Sequence, residues 1–216
     1  MQNNTSNEKK FYISDLHFGH RNVIGFDHRP FMDVDDMDRC LIQLWNGRVQ
    51  PEDTVYVLGD FCYKSERAPE WYLRQLRGHK ILIIGNHDGR TLENPKAMHY
   101  FEDVSPMMHV TDGDKQICLC HFPIAEWNGY MHGSWHIYGH IHSKKDETYQ
   151  FMRTSERALN AGCMINNYNI SRRKPRPFFG GTPGDECVLA RSFPGFSFSL
   201  MFFRSLAFDV LLDRFQ

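Results

Sequence analysis

Five short apolar runs in this chain each stop at an aspartate, an asparagine or a histidine, and this arrangement narrows the possible folds more than any other feature. Phe11-Tyr12-Ile13 leads into Ser14-Asp15-Leu16-His17, and Val55-Tyr56-Val57-Leu58 into Gly59-Asp60. Lys80-Ile81-Leu82-Ile83-Ile84 leads into Gly85-Asn86-His87-Asp88. Ile117-Cys118-Leu119-Cys120 runs into His121, and Trp135-His136-Ile137-Tyr138 into Gly139-His140-Ile141-His142. Short apolar runs bounded by such residues read as buried strands, and the ends of strands are where α/β proteins build sites. A single aspartate in such a place reads as a helix cap, and a single histidine as a hydrogen-bonded core residue. Agreement at every strand end makes those bland readings fail together.

The segments between these runs supply the helices. Asp33 or Asp35 can cap a helix whose apolar positions Val34, Met37, Leu41, Leu44, Trp45 and Val49 follow three-four spacing. A second helix is expected from Pro69 to Leu76, so that strand, helix and strand form a right-handed parallel crossover. Asn94 to Phe101 reads as a short helix, Val104 to Val110 as one short strand, and Asp112-Gly113 as a hairpin turn into the run ending at His121. Leu159 to Cys163 reads as a last short strand. The stretches 18–32 and 123–134 lack periodicity and are expected to loop over the strand ends, which makes His20 and Arg29 candidate substrate contacts, against the plain reading of solvated loop residues. A strand-rich second half favours two sheets packed face to face with helices outside, an α/β fold.

At 216 residues one domain is expected, spanning 10–170, after a flexible arm at 1–9. Residues 171–216 open with the basic, proline-broken Arg172-Arg173-Lys174-Pro175-Arg176-Pro177 and continue into a phenylalanine-rich tail. That tail holds one helical pattern, 199–215, too short and too charged to span a membrane; it could cover the core, pair subunits into a homo-oligomer, or hang as an appendage. Lys and Arg number 25 against 26 Asp and Glu, a balance that favours neither a stable nucleic-acid partner nor a membrane surface. Six cysteines without CxxC spacing, and no basic-then-apolar leader, are read as free thiols in the cytoplasm, with Cys118 and Cys120 as core residues.

Taken in order, Asp15-Leu16-His17, Gly59-Asp60, Gly85-Asn86-His87-Asp88, His121 and Gly139-His140-Ile141-His142 resemble the motifs of the calcineurin-like metallophosphoesterase superfamily, of the small single-domain bacterial and phage type, across roughly residues 11–167. The resemblance implies a four-layer α/β/β/α sandwich with two mixed β-sheets and a metal site at the strand ends. It also implies two divalent ions: one on Asp15, His17, Asp60 and His142, the other on Asp60, Asn86, His121 and His140, with Asp60 bridging. His87 matches the family's catalytic histidine, and Asp88 or another carboxylate is expected to orient it. His140 and His142 go to different ions, so the backbone must leave extended geometry after Gly139.

The residue types agree with that assignment. Carboxylate, imidazole and amide ligands without thiolate suit manganese first, with iron, nickel or zinc as alternatives. A hydroxide bridging two such ions is the expected nucleophile, and His87 the acid that protonates the leaving oxygen. Phe61-Cys62-Tyr63-Lys64 follows Gly59-Asp60 where the family's protein-phosphatase branch carries Asp-Arg, which argues against a phosphoprotein substrate. The expected activity is hydrolysis of a phosphodiester, with a nucleotide among the candidate substrates. The alternatives are a phosphomonoesterase, a dinucleoside-polyphosphate hydrolase, or a binding scaffold that keeps the fold without turnover.

Overall fold

A computed structural model describes residues 8–169 of the chain. The expected basic linker and phenylalanine-rich tail, and all of the N-terminal arm except its last two residues, lie outside them. Those two are tied down, because Lys9 donates its backbone N–H to Asp53 Oδ1 (2.9 Å) and Glu8 accepts from the Thr54 hydroxyl (2.6 Å).

Four parallel strands make the first sheet, in the order β1 (Lys10–Ile13), β2 (Thr54–Val57), β3 (His79–Ile83) and β4 (Asp103–Ser105). The second sheet holds β5 (Met107–Asp112), β6 (Lys115–Cys120), β7 (Trp135–Tyr138) and β8 (Ala158–Asn160). Here β5 and β6 form the expected antiparallel hairpin at Asp112-Gly113, while β6, β7 and β8 run parallel. Only this second sheet is mixed; the first is parallel throughout its described strands. Ser14, one residue past β1, bridges to Gly162 and so stitches the two sheets together at the end where the polar motifs emerge.

Period-two alternation sorts the strand residues into layers. Phe11, Ile13, Val55, Val57 and Leu82 pack in one buried cluster with Met37, Leu41 and Trp45 of α2 (Val34–Asn46) and with Tyr72 and Leu73 of α3 (Pro69–Leu73). Tyr12, Tyr56, Leu58 and Ile83 turn the other way and meet Ile117, Leu119 and Ile137 of the second sheet. Tyr138 and Ile141 pack outward against Met152 of α6 (Glu147–Met152). These clusters are the three interfaces of a four-layer sandwich. Asp33 caps α2, its side chain accepting from the Asp36 backbone N–H.

Three local expectations are corrected. The stretch 18–32 contains a helix, α1 (Arg21–Phe26), and Tyr130–His132 forms a 3-10 turn inside the stretch expected to be irregular. The strand expected from Val104 to Val110 is two strands in different sheets. Pro106 lies between them, and with no N–H to continue a ladder it marks the place where the chain changes sheet. Two short helices, α4 (Gly89–Leu92) and α5 (Pro95–Met98), lie between β3 and β4.

One buried charge opposes this core. Lys80 shares a strand face with Leu82, is 6% exposed, and donates Nζ to Gly78 O; burial pushes its ammonium down to about 8. The unfolded chain, with a lysine near its ordinary ~10.4, therefore binds more protons than the folded one between about 8 and that value. Stability should rise with pH from about 8 to about 10. Lys80→Met should stabilise the protein at pH 7 by about 1–3 kcal/mol and flatten that rise. Urea unfolding at pH 7 and pH 9.5 measures both, and an unchanged slope in the variant would show that Lys80 carries no penalty.

Candidate metal centre

The residues that follow β1, β2 and β7 take a backbone conformation that side chains rarely adopt. Asp15 (φ 56°), His17 (φ 51°), Asp60 (φ 56°), His140 (φ 69°) and His142 (φ 52°) are all left-handed. Each such non-glycine residue is strained by roughly 1–2 kcal/mol, and this strain concentrates where a geometry is held for function. The expected departure from extended backbone after Gly139 is thus present at both histidines. Two glycines make room for the turns. A Cβ on Gly85 would lie 2.5 Å from Asp60 Oδ1, and one on Gly139 would lie 2.8 Å from Asp15 Oδ2.

The side chains converge in two groups. Ligand-type atoms of Asp15, His17, Asp60 and His142 all lie within 4.8 Å of one another. Among them, His17 Nε2 is 3.3 Å from His142 Nε2 and 3.5 Å from Asp60 Oδ2, and His142 Nε2 is 3.5 Å from Asp15 Oδ1. In the second group, Asn86 Oδ1 sits 3.0 Å from His121 Nε2 and 2.9 Å from His140 Nδ1. His121 Nε2 is also 3.6 Å from Asp60 Oδ2, so one carboxylate oxygen faces a histidine of each group.

The surroundings decide which nitrogens carry lone pairs. His121 Nδ1 lies 2.7 Å from Leu58 O, an acceptor only, so Nδ1 holds the proton and Nε2 is free to ligate. His142 Nδ1 lies 2.8 Å from both Asp27 oxygens, which fixes the same tautomer. Burial, then the neighbouring His142, hold the His17 imidazolium far below its usual range, leaving His17 neutral. Burial, then His121, push His140 down as well. Burial raises the Asp15 carboxyl against the nearby histidines, which is the strain of an anion enclosed without a full cation. Converging oxygen and imidazole lone pairs, no thiolate and buried carboxylates fit divalent cations of the manganese-to-zinc type.

Arg29 and Asp88 hold this cluster from behind. Arg29 is 4% exposed; its guanidinium donates to Leu16 O (2.9 Å), Asp15 O (2.8 Å) and Asp27 Oδ2 (3.0 Å). It is spent on the Asp15 loop and on the acceptor of His142, so the expected substrate contact gives way to a positioning role. Asp88 accepts from the backbone N–H groups of Gly85 (2.7 Å), Asp60 (3.0 Å) and Phe61 (2.9 Å). It locks two loops together and does not bond the His87 ring, which corrects the expectation that it orients that residue. His87 itself is fixed through its backbone N–H on Asp60 Oδ1 (2.8 Å). Its half-buried ring lies 4.1 Å from the Tyr63 ring and 5.6 Å from that of His17. His20 is also buried, 5.0 Å edge-on to Tyr63 and 5.5 Å from His17, and its Nδ1 has no hydrogen-bond partner among the described residues.

Asp27 and Tyr63 were not among the residues expected to matter. Asp27 lies in an aperiodic loop, and the one available hint was chemical: every ligating histidine needs an acceptor on its other nitrogen. Tyr63 sits three residues after Asp60 and follows no pattern.

The sequence matches no protein-family model. It is 33% identical over 166 residues to an uncharacterized protein of Methanocaldococcus jannaschii, covering 76% of this chain and 86% of that one. It is 30% identical over 161 residues to the gene 66 protein of Mycobacterium phage L5, covering 62% of this chain and 77% of the phage protein. Among solved structures it is similar to a protein of unknown function from Aquifex aeolicus, with a TM-score of 0.61 and 26% identity over 76% of this chain and 95% of the other.

Proposed function

We propose that the chain is a metal-dependent phosphoesterase of the calcineurin-like metallophosphoesterase superfamily and that its substrate is a phosphodiester. The observation that carries this reading is the position of Asp60 Oδ2, 3.5 Å from His17 Nε2 and 3.6 Å from His121 Nε2. One carboxylate oxygen shared between two convergent ligand groups supports a site for two ions. Asp15, His17, Asp60 and His142 would hold one ion, and Asp60, Asn86, His121 and His140 the other. Bound there, divalent cations supply Lewis acidity toward phosphate oxygens and lower the pKa of water.

The chain's own residues set the rest. Asp27 and Leu58 O accept from Nδ1 of His142 and His121 and so turn each Nε2 toward the cluster, and Arg29 and Asp88 hold the loops so that little reorganises on binding substrate. His87 stands beside the cluster with no hydrogen bond to its ring among the described residues, so as an imidazolium it can pass a ring proton to the leaving oxygen. Residues 18–32 reach the cluster through His20, Asp27 and Arg29, and Pro123 lines the cavity beside His140. No lid domain appears among the described residues, and an open site suits a phosphate substituted on two sides.

The test is hydrolysis of bis-p-nitrophenyl phosphate beside p-nitrophenyl phosphate by metal-stripped protein, with and without Mn²⁺. Manganese-dependent turnover should favour the diester by on the order of 10-fold in kcat/KM, about 1.4 kcal/mol of differential transition-state binding. Preference for the monoester would replace the diester reading. Turnover of neither, in protein shown to hold two ions, would favour the scaffold.

A further inference from the structure

A cavity of about 350 Å³ opens directly beside the second ligand group, lined by Phe122, Pro123, His140, Ile141, Lys144, Asp146 and Thr148. This falls within the size range of small-molecule sites. Phe122 follows His121, packs 5.0 Å from the His121 ring and 4.7 Å from the His140 ring, yet remains 44% exposed. The sandwich keeps its other sheet-end aromatics, Phe18, Phe61 and Tyr138, buried. An aromatic face left in solvent against two candidate ligands is unfavourable for the free protein and favourable for a flat partner. Lys144 is an exposed cation on the same wall, and its charge reaches His140. Asp146 is engaged in capping α6 through the Tyr149 N–H.

We propose that this cavity is a nucleoside subsite: the base of a nucleotide substrate stacks on Phe122 while Lys144 faces the phosphate held at the metal centre. The proposal rests on the phosphoesterase reading and names its substrate class. Stacking of a base on an aromatic side chain is worth about 1–3 kcal/mol and needs no particular base, while the cation supplies attraction to phosphate without reading sequence.

Calorimetric dissociation constants for AMP and for ribose 5-phosphate on the Mn²⁺-loaded full chain separate the contributions, since both ligands bring the same phosphate. Wild type should bind AMP about 5-fold or more tighter than ribose 5-phosphate. Phe122→Ala should bring that ratio close to 1, Phe122→Trp should preserve it, and Lys144→Ala should weaken both ligands alike. Phe26→Ala, which removes an exposed phenylalanine that does not line the cavity, should leave the ratio unchanged. A wild-type ratio near 1, or a ratio that survives Phe122→Ala, would overturn the subsite while ribose 5-phosphate binding still upheld a phosphate site. Failure of ribose 5-phosphate and of inorganic phosphate to bind would instead count against the phosphoesterase reading, and the subsite would fall with it.

Discussion

Asp60→Asn should abolish metal loading and hydrolysis together. Its Oδ2 faces histidines of both ligand groups at 3.5 and 3.6 Å, so losing its charge weakens both groups at once. Asparagine keeps an oxygen for the His87 backbone N–H, bonded to Oδ1 at 2.8 Å. It also tolerates the left-handed backbone at this position (φ 56°) better than most residues, so the loop should survive. Lewis-acid stabilisation is worth several kcal/mol, which corresponds to a fall in kcat/KM on the order of 10³-fold or more. Two readouts separate this from misfolding. Mn²⁺ should raise the wild-type melting temperature, because a ligand that binds only the folded state stabilises it, and should leave the variant's unmoved. Metal analysis should find less than one ion per variant chain. A variant that stays active, or that keeps its full metal content, would remove Asp60 from the bridging position. Asp27→Asn makes the useful contrast: it leaves every candidate ligand in place but weakens the acceptor of His142 Nδ1, and should lower metal affinity by only about 10–100-fold.

Much of this site could be read from the sequence because of how parallel strands end. In a strand buried on both faces the residue types are uniformly apolar, so the first polar residue past the end stands out, and it did so after β1, β2, β3, β6 and β7. The strand-rich second half pointed to two sheets packed face to face, and in the structure the neighbours Phe11 and Tyr12 pack into different clusters on the two faces of β1. Supporting residues stayed hidden for a physical reason. Asp27, Arg29 and the Leu58 carbonyl act through contacts made only when loops fold over one another, and no periodicity marks such loops. Arg29 illustrates the trap. A loop arginine over an anion-binding site reads as a substrate contact, yet its guanidinium is consumed by Asp27 and two backbone carbonyls. Asp88 misled in the same way: adjacency to His87 suggested a catalytic pair, but its oxygens face three backbone N–H groups. The sheet switch at Pro106 is missed when 104–110 is read as one strand, although proline interrupts a ladder.

His87→Ala should leave metal content intact while slowing turnover in proportion to how badly the leaving group needs a proton. The His87 side chain contributes no atom to either ligand group, and the bond that fixes its loop uses the backbone N–H, which alanine retains. For p-nitrophenolate, a stable anion, little protonation is needed and the loss should stay within about 10-fold; for an unactivated alkyl diester the loss should reach about 10²–10⁴-fold. The contact with Tyr63, 4.1 Å between ring centroids, supplies a second check. If Tyr63 holds the imidazole in place, Tyr63→Phe should leave both rates near wild type, whereas Tyr63→Ala should slow the alkyl diester more than the aryl one. Equal slowing of both substrates by His87→Ala would assign the residue to binding the phosphate rather than to protonating the leaving oxygen. Loss of metal in the same variant would make His87 part of the ligand cage.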